Sequence, residues 1–263
     1  MEILGYIASV LIGVTLGLLG GGGSILTVPV MVYLFAVSPQ LATSYSLFVV
    51  GTSSLVGVLA RLRTGVVKSD TALLFGATSI ITVFVTRKFI IPALPKTLFY
   101  IGDFAVTESL ATMVLFAVLM LMSATSMIRN TQKNIKPRPE IKVNHSRLAI
   151  YGIGIGMVTG LLGAGGGFLI IPTLVLLCGL TMKEAVGTSL LIIAANSLIG
   201  FAADIGHFTI NWKLLATVTA LAIGGILIGS QIAKGINNEK LKKGFGWFVL
   251  VMGIYIMIKE LFL

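Results

Sequence analysis

"GLLGGGGSILTVP", Gly17 to Pro29, decides how this chain is read. The stretch is apolar enough to be buried in lipid. Yet it carries four consecutive glycines, and each glycine in a helix interior costs about 1 kcal/mol relative to alanine. "GLLGAGGGFLIIP", Gly160 to Pro172, repeats the pattern 143 residues later. At that same offset Gly17 matches Gly160, Gly20 matches Gly163, Gly22 matches Gly165 and Pro29 matches Pro172. The register continues through Ala42 with Ala185, Ser46 with Ser189, Ser54 with Ser197 and Gly57 with Gly200. Glycine, proline and serine matching in register mark an internal duplication.

Working outward, the 263 residues are 56% hydrophobic and 11% charged. A soluble domain carries roughly 25% charged residues. Apolar runs recur along the whole length, so the expectation is an all-α integral membrane protein, a polytopic helical bundle rather than a soluble domain with an anchor. The first apolar run has no basic residue before it and no small-residue cleavage site, so it reads as retained. One cysteine, Cys178, leaves no internal disulfide and no cysteine-cluster metal site within one chain, and its reading is packing.

Ten apolar segments are expected, five per half. The first half, residues 1–128, holds Ile3 to Leu19, Ile25 to Phe35, Leu41 to Ala60, Thr71 to Thr86 and Val106 to Ile128. The second, residues 148–263, holds Leu148 to Leu162, Phe168 to Leu177, Ala185 to Ala203, Lys213 to Ala233 and Gly244 to Phe262. Residues 129–147, "RNTQKNIKPRPEIKVNHSR", form a basic linker. "IIPALPKTLFYIGDF", within the insertion Phe89 to Ala105, has no counterpart and reads as an interfacial excursion.

If each glycine break is the tip of a re-entrant-type hairpin, each half crosses the bilayer an odd number of times and the two repeats are inverted. The net charge of +10 then records orientation rather than nucleic-acid binding. Fourteen of the nineteen lysines and arginines fall on one side: Arg61, Arg63, Lys68, the linker, Lys183 and the group Lys234, Lys240, Lys242 and Lys243. That side is expected to be cytoplasmic, with both termini external. Arg87, Lys88, Lys96, Lys213 and Lys259 are left for the other side.

At about 1.5 Å per residue, Ile25 to Phe35 makes a helix of roughly 17 Å, against a hydrocarbon core of about 30 Å. Broken backbone at that depth must be buried in protein or line a wet cavity. Paired interrupted segments in matching halves point to a transporter's midplane site, and N–H groups at a helix start favour an anion. The expected substrate-binding set is therefore Gly20, Gly21, Gly22, Gly23 and Ser24 at the first tip and Gly163, Gly165, Gly166 and Gly167 at the second. Small donors on the third segment of each half join it: Thr43, Ser44 and Ser46, then Thr188, Ser189 and Asn196. Gly13 with Gly17 and Gly156 with Gly160 read instead as close helix packing. About half of the serines and threonines are expected to bond only their own helix backbone.

No acid or base is expected near the middle of a span, which argues against a cation substrate and leaves neutral donors to hold an oxyanion. Asp204 and His207, in "ADIGHFT", read as a solvated loop pair or, more sharply, a proton-linked gate, because histidine titrates near neutral pH. "GGGGS" lacks the lysine of a phosphate-binding loop; no metal site and no cofactor are expected. His145 and His207 give no convergent set for an enzyme.

The repeated glycine-rich motif before proline, with "AVGTSLLIIAANSLIGF" at Ala185 to Phe201, resembles the sulfite exporter TauE/SafE family along essentially the whole chain. The resemblance implies a secondary transporter in the cytoplasmic membrane that moves sulfite, sulfoacetate or related sulfur-containing anions, mostly outward. Its partners are the small anion and the lipid bilayer, and a homo-oligomer fits the same reading. The first half departs from the "GTS" pattern: Thr43 aligns with Val186, so Thr188 has no counterpart there. A related thiosulfate-uptake group relies on cysteines in its pathway, and the single Cys178 argues against a thiol relay. Uptake, a channel for another small anion, and a non-transport scaffold remain as alternatives.

Overall fold

The computed structural model describes residues 2–62, 67–95, 97–101, 104–129, 145–233 and 238–262. Most of the linker, 130–144, lies outside the described residues with Arg63, Lys96 and Lys234, as do the side chains of Arg61, Arg147, Lys240 and Lys242. The first half runs α1 (Glu2–Leu19), a 3-10 segment (Gly20–Leu26), α2 (Thr27–Tyr33), α3 (Pro39–Leu62) and α4 (Ser69–Val85). A π-helical turn (Thr86–Ile90) and α5 (Ile91–Ala93) extend α4, and α6 (Glu108–Arg129) closes the half. The second half runs α7 (His145–Leu162), α8 (Gly167–Cys178), α9 (Met182–Asp204), α10 (Trp212–Ile232) and α11 (Asn238–Phe262). The protein is an all-α polytopic membrane protein, as its hydropathy indicates.

Among the described residues, five helices are long and apolar enough to cross a bilayer. Pro39–Leu59 and Lys183–Asp204 are 72% buried, whereas the other three are between 28% and 39% buried. The pair α3 and α9 is thus the centre, and the remaining helices form its wall. Their outer faces are apolar, with Ile3, Leu4, Ile7 and Leu11 on α1 and Ile150, Tyr151 and Ile153 on α7 exposed. Exposed apolar surface of this extent suits lipid rather than water.

Each wall helix packs mainly on one from the opposite half. α1 lies on α10, its positional counterpart α7 lies on α4, α3 meets α9, and α6 meets α11. Glycine makes the first two contacts close. A Cβ on Gly13 would strike the backbone of Ala222, and one on Gly17 the backbone of Ile226 and Ser230. On the other pair, Gly156 faces the backbone of Ser79 and Gly160 faces Thr86. Small residues four apart let two membrane helices approach at backbone distance.

Three differences from the hydropathy reading matter. The first glycine break is a tight 3-10 helix rather than an unwound loop, while the second is non-helical from Gly163 to Gly166. The fourth segment does not end at Thr86; it stays helical to Ala93. The insertion after it holds a small antiparallel hairpin, β1 (Thr97–Ile101) with β2 (Phe104–Thr107), in an otherwise helical chain. Short runs of β-branched and aromatic residues fit a pleated edge, which a helical hydropathy pattern does not foresee.

Candidate functional site

Gly20 and Gly163, matched across the repeat, both adopt the left-handed conformation, with φ of 69° and 66°. Gly165 and Gly166 do so too, at 66° and 69°. A Cβ raises the energy of that region by roughly 1–2 kcal/mol, so these positions require glycine. The conformation turns each chain sharply back, and the two tips meet. A Cβ on Gly21 would strike the Cα of Gly167, and one on Gly167 the Cα of Gly21. Gly20 packs on Val186 and Ile171, and Gly165 on Val50, Ile193 and Ser197, so the tips wedge against α3 and α9. Gly23 is seated on Thr15 and Leu16 of α1, Gly166 on Thr159 of α7, and Gly22 lies within the same 3-10 segment. At every tip glycine whose surroundings are described, protein fills the place of a Cβ.

The small polar residues of the first tip and of α3 and α9 divide by what they already bond. Ser24 Oγ donates to the Gly21 carbonyl at 2.7 Å, and Ser189 Oγ donates to the Val186 carbonyl at 3.0 Å. Thr188 Oγ1 accepts from the Lys68 backbone N–H at 3.0 Å. The Ser24 and Ser189 protons are thus committed to their own local backbone, whereas Thr188 ties α9 to the backbone just before α4. Ser44 is buried. Ser46, Ser53, Ser54 and Ser197 are buried with hydroxyls that find no protein partner. Asn196 is fully buried; its Nδ2 donates to Ser79 Oγ at 2.7 Å, and its Oδ1 has no protein partner. Buried polar groups are usually satisfied, so this concentration around α3 and α9 marks polar capacity held back from the fold.

Arg87 corrects the expected absence of mid-span charge. It lies within the span Ala72–Ala93 and is 2% exposed. Its Nη1 donates to Asp204 Oδ2 at 2.9 Å and to Thr43 Oγ1 at 3.1 Å. Asp204 is buried too, so it is no solvated loop residue, while His207 is exposed and reaches Asp204 only through backbone, N–H to carbonyl, at 3.0 Å. Thr43 also donates to the Gln40 carbonyl at 2.7 Å. The sequence carries a signal for Arg87: "VFVTRKFIIPA" resumes its apolar run after the charges, so they interrupt a span rather than end it. The π-helical turn around it is a feature that recurs at functional sites.

An open pocket adjoins this pair, lined among others by Gln40, Thr43, Arg87, Glu108, Leu161 and Phe208. Gln40 Nε2 donates to Glu108 Oε2 on its wall, and Glu108 is buried. Gly163 joins the pocket to the second tip: a Cβ there would stand 2.7 Å from Arg87 Nη2 and against the Thr43 carbonyl. Among the described residues no group of three or more His, Cys, Asp or Glu is placed to hold a metal ion.

The model of the family described as "Sulfite exporter TauE/SafE" matches residues 5–256. A "Probable membrane transporter protein" of Xylella fastidiosa strain Temecula1 is 28% identical over 254 residues, covering 94% of this chain and 91% of that protein. YunE of Bacillus subtilis, with the same descriptive name, is 28% identical over 98% of this chain and 94% of its own length. A further such protein, from Haemophilus influenzae, is 24% identical over 98% of both chains. No solved structure matches the chain. With a match spanning nearly every residue and a helical bundle built for lipid around a buried polar centre, this chain belongs to the sulfite exporter TauE/SafE family of membrane transporters.

Proposed function

We propose that the protein is a secondary transporter that exports sulfite or small organosulfonate anions across the cytoplasmic membrane. The observation that carries this reading is the meeting of Gly21 and Gly167, with the buried, unpartnered hydroxyls of Ser197 beside Gly165 and of Thr159 beside Gly166. Backbone at the two tips and neutral donors, with the buried Arg87 beside them already balanced by Asp204, would hold an oxyanion without a net fixed charge, which suits a site that must also release its ligand. The matching pattern of Gly20 and Gly163, and the packing of each wall helix on the opposite half, support two repeats, 1–128 and 148–263, working as opposed units. In this reading the repeats are inverted, the linker 129–147 is cytoplasmic and the termini are external. The chain carries its substrate and does no chemistry on it.

Reconstituted protein tests the reading directly. Proteoliposomes loaded with radiolabelled sulfite should lose it faster than protein-free vesicles, with sulfate and chloride as weaker competitors. Equal leak from both vesicle types for sulfite and methanesulfonate would remove the assignment.

A further inference from the structure

Among the described residues Arg87 is the one arginine fully buried in a span, and only part of its guanidinium is used. Nη1 serves Asp204 and Thr43. Nε and Nη2 are buried without a protein partner. These two nitrogens form the side edge of the guanidinium, whose parallel N–H bonds match two oxygens of one oxyanion. A counter-ion for Asp204 alone would need no such edge, and a buried donor left unmade is unfavourable. Gly163 lets the edge reach the second tip, because any side chain there would collide with Nη2. The same guanidinium lines the pocket between Gln40, Thr43 and Glu108.

We infer that Arg87 is a substrate-binding residue, receiving an SO3 group bidentately on Nε and Nη2 where the pocket adjoins the second glycine tip. The inference rests on the proposed anion transport and names the charge class that this transport selects. Asp204 already balances the guanidinium, and Glu108 stands on the pocket wall. Monoanions, such as a sulfonate or hydrogen sulfite, are therefore favoured over divalent sulfate. Asp204 acts as a selectivity residue: it holds Arg87 through Nη1, leaves the other edge free and disfavours a second negative charge.

The test uses full-length protein in detergent and in proteoliposomes, with methanesulfonate, hydrogen sulfite, sulfate and chloride as probes. Arg87→Lys retains a cation beside Asp204 but lacks the fork, so methanesulfonate affinity should fall about tenfold or more, as for a lost hydrogen bond to a charged ligand. Asp204→Asn should narrow the discrimination between methanesulfonate and sulfate. The neutral pair Arg87→Gln with Asp204→Asn removes both charges together and should stay without anion binding. Wild-type affinity in Arg87→Lys, or wild-type flux in the double variant, would reduce Arg87 to a structural counter-ion and overturn the inference. If wild-type protein moves no sulfur anion yet binds methanesulfonate in an Arg87-dependent way, the transport assignment falls while this site stands. If sulfite flux is robust and indifferent to Arg87, the reverse holds.

Discussion

Asn196 and Ser189 are seven residues apart on α9, both buried, and their chemistry differs by what each already bonds. Asn196 Nδ2 carries two N–H groups and gives one to Ser79 Oγ, so a second remains for a ligand. Ser189 Oγ has its proton committed to the Val186 carbonyl on its own helix. Asn196→Ala should therefore weaken sulfite affinity by roughly tenfold, since a hydrogen bond to a charged group contributes about 1.5–3 kcal/mol. Ser189→Ala should leave affinity near wild type. Titration of sulfite into purified protein compares the two. Equal effects from both substitutions would mean that the hydroxyl and amide act only through packing. The residue reading from sequence identified both as donors; which of them still had a donor to offer depended on Ser79, 117 positions earlier in the chain.

The glycine-broken elements are held by contact as much as by turn geometry. Gly21 and Gly167 approach at backbone distance, so a single methyl at either place must push the tips apart. Gly167→Ala should lower the melting temperature of the detergent-solubilised protein by several degrees and reduce flux with it, because overpacking typically costs 1–3 kcal/mol. Gly154, in the middle of α7, is the control. A Cβ there meets nothing within 4 Å, so Gly154→Ala should be neutral or stabilising by up to about 1 kcal/mol through helix propensity. Thermal unfolding of both variants by tryptophan fluorescence decides the matter. A Gly167→Ala protein as stable as wild type would show that the tips have room to separate.

Across the whole molecule, α1 pairs with α10, α4 with α7, α3 with α9 and α6 with α11, one helix from each half, and the proposed inverted arrangement would put the linker and the two termini on opposite sides of the membrane. By the distribution of lysine and arginine, the linker side is the one we propose to be cytoplasmic. The lone Cys178 makes the arrangement testable by labelling. In a Cys178→Ser background, Ser146→Cys should react with a membrane-impermeant maleimide only in inverted vesicles, and Phe262→Cys only in intact cells. Labelling of both from the same face would break the odd number of crossings per half, and with it the inverted arrangement.

Local rules of sequence determined much of this protein. Long apolar runs marked the helices, because a bilayer demands backbone satisfied within each segment. A glycine cluster recurring at one offset with a proline behind it, GGGG in the first half and GAGGG in the second, marked the two breaks, because the left-handed turns at Gly20 and Gly163 favour a residue without a Cβ. What only the tertiary structure decided is who meets whom. The apolar run that resumes after Arg87 and Lys88 shows that they interrupt a span, but not that the partner of Arg87 is Asp204, 117 residues away, with which it becomes buried. The ion pair exists because α4 continues through its π-helical turn and packs beside α9, and no local periodicity encodes that approach. The same holds for Gly21 against Gly167. Sequence shows that both must be small, whereas the reason, backbone seated on backbone, belongs to the packed molecule.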